Sequence, residues 1–349
     1  MTTDADKTCT VSIDLYGLII QCQAEDAHLR QELVRPFKFF QKEPCNHRVV
    51  IHVEQTLPPY DSFPPIKASY STPRNIVFKD KNCKIIDYFG KGVVIESDEK
   101  TAYRIYGQDA DFLKEAFYLL VLSLFGEHCD RCGMLRVHAL VLSYGDLAIL
   151  APLPPGGGKS TIALAMLQEP GFKLVSDDEA IVDRSGRVLP FPLRIGILDR
   201  KVIQNIPDQY IYGIDRMEFG LKYFVDLEYW AEKIETRRLK DSVLIISERI
   251  LNGTPVIHKT SSGKAAKALI RDAVIGVGLY QGLEFILNHS SWDVVLKIQV
   301  AMKRLIRALR LAFSVQVYRF TLSGNIALNA VVLTEFIRSL RPSSTSGRG

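Results

Sequence analysis

Short apolar, β-rich runs at residues 10–22, 48–54, 75–79, 84–87, 93–96 and 102–106 alternate with polar or proline-bearing turns. That spacing predicts a small antiparallel sheet. Residues 57–73 hold five prolines with Ser and Asp between them and read as a surface loop. From 109 to 126 the pattern changes: Phe112, Ala116, Leu119, Leu120, Leu122 and Leu124 recur at helical spacing, with Gly126 read as the stop. A boundary between two parts of the chain is expected near Gly133.

Beyond it, two apolar runs, 135–143 and 147–150, flank Tyr144-Gly145-Asp146, the composition of a tight hairpin turn. The second run leads into Ala151-Pro152-Leu153-Pro154-Pro155-Gly156-Gly157-Gly158-Lys159-Ser160-Thr161. Ile162, Ala163, Ala165, Met166 and Leu167 then form the face of a helix that Pro170-Gly171 ends, and 172–175 make the next strand. Further strands are expected at 223–227, 243–247 and 315–320, and helices at 264–279, 293–313 and 326–340. The expectation is an α/β protein: a β-rich α+β N-terminal domain (1–133), a domain with a mixed sheet flanked by helices (134–341) and a flexible tail (342–349).

Composition narrows the class. With 349 residues, 47% hydrophobic and 24% charged, the chain is neither disordered nor fibrous and has material for two modest cores. No apolar run reaches the roughly 18 residues of a membrane helix, and the start, MTTDADKTCT, lacks a leader pattern. No membrane partner and a cytoplasmic location are therefore expected. Six scattered cysteines read as reduced thiols. His128-Cys129-Asp130-Arg131-Cys132 invites a metal reading, but zinc needs four ligands and no second CxxC or CxxH pair exists. The net charge of +5 is modest, and part of it, Lys303, Arg304, Arg307 and Arg310, sits on the 293–313 helix. Its apolar stripe, Val294, Val295, Leu296, Ile298, Met302, Leu305, Ile306 and Leu309, reads as core packing with solvated charges rather than as a membrane or nucleic-acid surface. Nucleotide phosphate would suffice as the anionic partner.

The chemistry concentrates after residue 150. Glycines let backbone N–H groups converge on phosphate oxygens, and a helix start behind them adds a favourable dipole; Gly156, Gly157 and Gly158, framed by Pro155 and Thr161, meet that need. Lys159 would reach the terminal phosphates and the Ser160 hydroxyl would hold Mg²⁺, as in GxxxxGK[ST], with Leu153 standing where the pattern has its first glycine. The bland alternative is a strand-to-helix turn with a solvated lysine. Asp177 and Asp178 close the next strand, one expected toward Mg²⁺ through Ser160 or water and one toward an incoming hydroxyl, in either order. Read blandly, they are a solvated turn or a helix cap. His138, on the strand ahead of the loop, could approach the phosphates or the acceptor. Lys259, in a loop read at 252–264, is the candidate for neutralising the transferred phosphoryl group.

His138, the loop ending Gly158-Lys159-Ser160, and Asp177-Asp178 together resemble the catalytic domain of bacterial HPr kinase/phosphorylase, including the spacing from His138 to Lys159. The resemblance is strongest over 135–183. It continues more loosely through GRVLPFP at 186–192, VQVYRF at 315–320 and Tyr16-Gly17-Leu18, which look like the shorter HPr-kinase-related proteins. It implies a P-loop fold akin to phosphoenolpyruvate carboxykinase, use of ATP and Mg²⁺, and phosphorylation of a serine hydroxyl on a protein or peptide; assembly of like chains is left open. The acidic signature that follows the aspartates in that family has no convincing match here, which leaves phosphorolysis open. Two other functions share the loop: a nucleotide-binding regulatory module without transfer, and a kinase of a free metabolite or RNA end.

Overall fold

The computed structural model describes residues 10–43, 46–80, 83–153, 158–216, 220–275 and 291–340. It is a mixed α/β structure with four sheets among the described residues. The N-terminal sheet has nine strands in the order Gln41–Lys42, Thr10–Leu15, Leu18–Gln23, Val49–Glu54, Ala102–Gly107, Gly92–Ser97, Cys83–Asp87, Ile76–Lys79 and Ala68–Ser71. The 10–22 run breaks at Tyr16-Gly17, both at positive φ, and the Gly17 N–H donates to Asp14 Oδ1 at 2.7 Å. The sheet is neither small nor wholly antiparallel. Val49–Glu54 runs parallel to both of its neighbours, and parallel neighbours need a crossover. One crossover is the helix Ala27–Val34, capped by Asp26, followed by the turn Arg35–Phe40. The 57–73 loop contributes the edge strand Ala68–Ser71.

The helix Ala110–Cys132 begins at the Asp109 cap and runs past Gly126. A single interior glycine costs about 1 kcal/mol, which the buried Phe125 and Cys129 around it offset. Its left-handed terminator is Gly133, at φ 75. Gly126 serves another purpose: a Cβ there would collide with the Arg136 guanidinium, which lies against the helix.

The 135–143 run splits at Ala139. Leu135–His138 joins Glu179–Val182 and Val188–Leu189 in a three-stranded sheet, while Leu140–Tyr144 enters a six-stranded one. That sheet has the order Phe172–Ser176, Leu140–Tyr144, Leu147–Ala151, Asp241–Arg249, Gln316–Leu322 and Val256–Lys259, with its three central strands parallel. A second three-stranded sheet orders Ile195–Ile197, Leu221–Val225 and Ile211–Asp215. The helices Lys159–Gln168 and Ile326–Leu340 share one buried cluster through Ile162, Leu167, Leu333 and Ile337. Another cluster, under the N-terminal sheet and the long helix, takes in Phe191 and Leu193 from beyond residue 133.

Ser262–Leu269 continues as a wider turn, Ile270–Ile275; the rest of the helix expected to 279 and the tail expected at 342–349 lie outside the described residues. The helix Ser291–Ser314 turns Ala308, Leu311 and Ala312 inward, whereas Met302 and Ile306, expected to pack, are exposed. Small alanines let this helix pack closely, chiefly on Ser262–Leu269 and Ile270–Ile275, and the larger residues lie outside. Arg304 is tied to Asp130 at 2.8 Å. Among the described residues no helix is long and apolar enough to cross a membrane.

Candidate functional site

Leu147–Ala151 is buried along its whole length and delivers the chain to Leu153 at the carboxyl edge of the sheet. Pro155, Gly156 and Gly157 lie outside the described residues. Gly158 begins the helix Lys159–Gln168 at φ 82, ψ 23, a left-handed conformation that only glycine adopts without strain. No side chain caps this helix start and no acidic residue occupies its first turn. Its N–H groups and positive dipole end therefore remain available to an anion. Thr161 follows on the same turn, half-buried.

Three contacts leave this turn. Ser160 donates its hydroxyl hydrogen to Asp177 Oδ2 at 3.0 Å. Lys159 Nζ lies 2.8 Å from His138 Nε2 and donates to the Leu153 carbonyl at 3.3 Å. An ammonium only donates, so Nε2 accepts and the imidazole proton belongs on Nδ1. Nδ1 in turn faces Asp178 Oδ1 at 3.4 Å. The backbone enforces this pairing: His138 is in register with Glu179, and the Ala139 N–H donates to the Asp178 carbonyl at 3.1 Å.

The adjacent aspartates sit in different surroundings. Asp178 is open to solvent, its side chain 57% exposed. Asp177 is buried, and its Oδ1 has no hydrogen-bond partner. Burial pushes the Asp177 carboxyl up to about 6 and Asp178 adds to the rise; Lys222, Ser160 and Lys159 pull it back. An orphaned buried carboxylate oxygen beside a hydroxyl fits a hard cation. Among the described residues no three His, Cys, Asp or Glu side chains converge as a metal cage. Mg²⁺ at a phosphate site needs only one or two carboxylates, with water, a hydroxyl and phosphate oxygens completing its shell. The residues present thus fit Mg²⁺ held by Asp177 and Ser160, with Asp178 left facing solvent.

Buried ion pairs flank the turn that carries both aspartates. Arg136 meets Glu179 at 3.5 Å, and Arg194 donates to Glu115 of the long helix at 2.8 Å while lying over the rings of Tyr118 and Phe224. Arg194, Tyr118, Ser176 and Glu179 line a small recess beside Asp177 and Asp178. The N-terminal half of the chain thereby supplies a wall of the site.

Lys259 is not brought to this cluster. It is exposed on Val256–Lys259, an edge strand rather than a loop, paired with Tyr318 and separated from Leu147–Ala151 by two strands. Lys222, on Leu221–Val225, is a cation whose charge is felt at both aspartates. Its sequence signal is a lone lysine inside the apolar string LKYFV, on the same strand face as the buried Phe224. Away from the site, Cys132 Sγ lies 3.5 Å from His128 Nε2, which is 3.0 Å from the Tyr16 carbonyl oxygen. No protein-family model matches the sequence and no curated protein matches it, so a functional reading rests on the arrangement of these side chains.

Proposed function

We propose that the chain is a cytoplasmic, Mg²⁺-dependent kinase that transfers the γ-phosphoryl group of ATP to a serine hydroxyl of a small protein or peptide. The observation that carries this reading is the double link from one uncapped helix turn: Ser160 to the buried Asp177, and Lys159 through His138 to the exposed Asp178. The strand, glycine loop, helix and following strand with its aspartates support a P-loop arrangement akin to HPr kinase/phosphorylase and phosphoenolpyruvate carboxykinase.

Each group has a task. Bound Mg²⁺ would neutralise phosphate charge and polarise the transferring group. The helix-start N–H groups and Lys159, released from His138, hold the phosphates. Asp178 orients the acceptor hydroxyl and takes its proton; the hydroxyl oxygen bonds to the γ-phosphorus, and the bond to the bridging oxygen breaks with its electron pair left on the nucleoside diphosphate. His138 fixes the Asp178 carboxylate through its Nδ1 proton.

The raised Asp177 pKa gives a pH signature. The folded chain holds a proton that the unfolded chain, at 3.8, releases first, so this group favours folding below about 3.8 and that contribution is lost as pH rises through about 6. A metal needs the ionised form. Magnesium-dependent nucleotide affinity should therefore hold steady above about pH 7 and fall about tenfold per unit below 6, measured by titration at a series of pH values. A flat profile from pH 4.5 to 8 would contradict the metal role of Asp177.

The acceptor class is tested by incubating the protein with γ-labelled ATP and separated protein, peptide, metabolite and RNA pools. Label on serine of a small protein or peptide is the expected result. Label only on a metabolite or RNA end would replace the acceptor; tight ATP binding with no labelled product would leave a regulatory module.

A further inference from the structure

We propose that Arg194 donates to an oxygen of the terminal phosphoryl group of the bound nucleotide, received in the small recess that Arg194 lines together with Asp177 and Asp178. This rests on the kinase reading above. It adds to the nucleotide site a residue of the segment PFPLRIG, just ahead of the strand Ile195–Ile197 and outside the glycine loop and its aspartates.

Arg194 is only half engaged. Its side chain is 4% exposed, and Nη2 donates to Glu115 of the long helix at 2.8 Å. The guanidinium also lies over the rings of Tyr118 and Phe224, 3.8 and 4.0 Å from their centroids. A planar group held at one nitrogen and against two rings has its orientation set before any ligand arrives. Nη1 is buried and has no hydrogen-bond partner.

Two acceptors lining the same recess are unpartnered as well, Asp177 Oδ1 and Glu179 Oε1. A guanidinium beside a carboxylate ordinarily pairs with it, yet here donor and acceptors line one recess without meeting. A charged N–H buried without a partner is costly, so an acceptor belongs opposite Nη1. That acceptor must also tolerate the neighbouring carboxylates, which a bare anion does not. A phosphate oxygen coordinated to a metal on Asp177 meets both conditions, since it accepts from Nη1 while the metal offsets its charge beside the carboxylate. The recess, about 20 Å³, has room for one oxygen rather than for a whole phosphate.

Arg194 makes and breaks no bond. As the acceptor oxygen bonds to phosphorus and the bridging oxygen leaves with its electron pair on the diphosphate, the guanidinium offsets charge on one phosphoryl oxygen. The consequence is selective. Arg194 matters little to Mg-ADP, which lacks the terminal group, and much to Mg-ADP with beryllium fluoride, which takes the place of that group.

Titration calorimetry with Mg-ADP, with and without beryllium fluoride, reads that difference. Wild type should bind Mg-ADP and tighten with fluoride. Arg194→Lys keeps a charge for Glu115 but has no second arm for the recess; it should bind Mg-ADP within about threefold of wild type and lose about tenfold or more of the tightening. Glu115→Gln breaks the ion pair and leaves Nη1 in place, so it should unfold earlier yet keep the tightening within about threefold. Full tightening in Arg194→Lys, or equal weakening of both complexes, would mean that the arginine only holds the fold, and would overturn the assignment with the kinase reading intact. If Arg194→Lys does not fold by circular dichroism, Arg194→Met combined with Glu115→Gln, which leaves no unpaired carboxylate at that pair, takes its place, and full tightening there overturns the assignment. Wild type that binds Mg-ADP without tightening would overturn this inference alone; wild type that binds no Mg-ADP would overturn the kinase reading with it.

Discussion

Lys159→Ala should lose phosphoryl transfer by about a thousandfold or more, a difference of about 4 kcal/mol in transition-state stabilisation, while unfolding at nearly the wild-type temperature. The side chain is half-buried and its partners in the absence of nucleotide are His138 Nε2 and the Leu153 carbonyl. His138 is partly exposed and can accept from water instead, so truncation should cost about 1 kcal/mol of stability. The charge itself has no substitute at the helix start. Initial rates with the labelled acceptor, alongside thermal unfolding, check both halves; a variant as active as wild type would remove the lysine from the mechanism.

Asp177→Asn should separate function from stability with opposite signs. A carboxyl whose pKa moves from 3.8 to about 6 on folding makes its ionised form unfavourable by about 3 kcal/mol above pH 6. The amide is near-isosteric and neutral and keeps an oxygen for the Ser160 hydroxyl, though its new N–H₂ must find partners in the buried recess. The variant should therefore unfold later than wild type by about 1 to 3 kcal/mol at pH 8, with the gain shrinking toward pH 4 as wild-type Asp177 protonates. Magnesium-dependent transfer should fall by about a hundredfold or more. Denaturant unfolding at both pH values, with rates at saturating Mg²⁺, decides it. A destabilised but active variant would mean that Asp177 is a structural residue.

The loop helix and its two aspartates are legible in the sequence because local rules suffice there. Three glycines between an apolar strand and a helical face leave few alternatives, and Pro170-Gly171 marks where the helix gives way to the strand that carries Asp177 and Asp178. Which aspartate is buried is not local. It depends on Ser160 facing Asp177 and on His138 being held beside Asp178 through the break at Ala139, where one apolar run is divided between two sheets.

The nine-stranded sheet shows the same limit. Alternation marks which residues are extended but not which strands are partners, so the parallel neighbours of Val49–Glu54 have no signature of their own. Gly126 misleads in the other direction. A glycine at the end of an apolar run resembles a stop, whereas here its missing side chain admits Arg136, and only Gly133 has the positive φ of a terminator. Lys259 and Lys222 both lie far from the loop along the sequence. What separates them is sheet order, which sends one to an edge strand of the six-stranded sheet and the other to the middle of a three-stranded one, over Gly196.

The central claim is that an uncapped helix start, Lys159 and the Asp177–Ser160 pair together hold a magnesium nucleotide. Titration calorimetry of the folded wild-type chain with ATP, with and without Mg²⁺, measures this without knowledge of the acceptor. Saturable binding in the range of roughly 1 μM to 1 mM, strengthened by Mg²⁺, is the predicted result. Absence of heat with Mg-ATP at millimolar concentration, from protein shown to be folded, would contradict it.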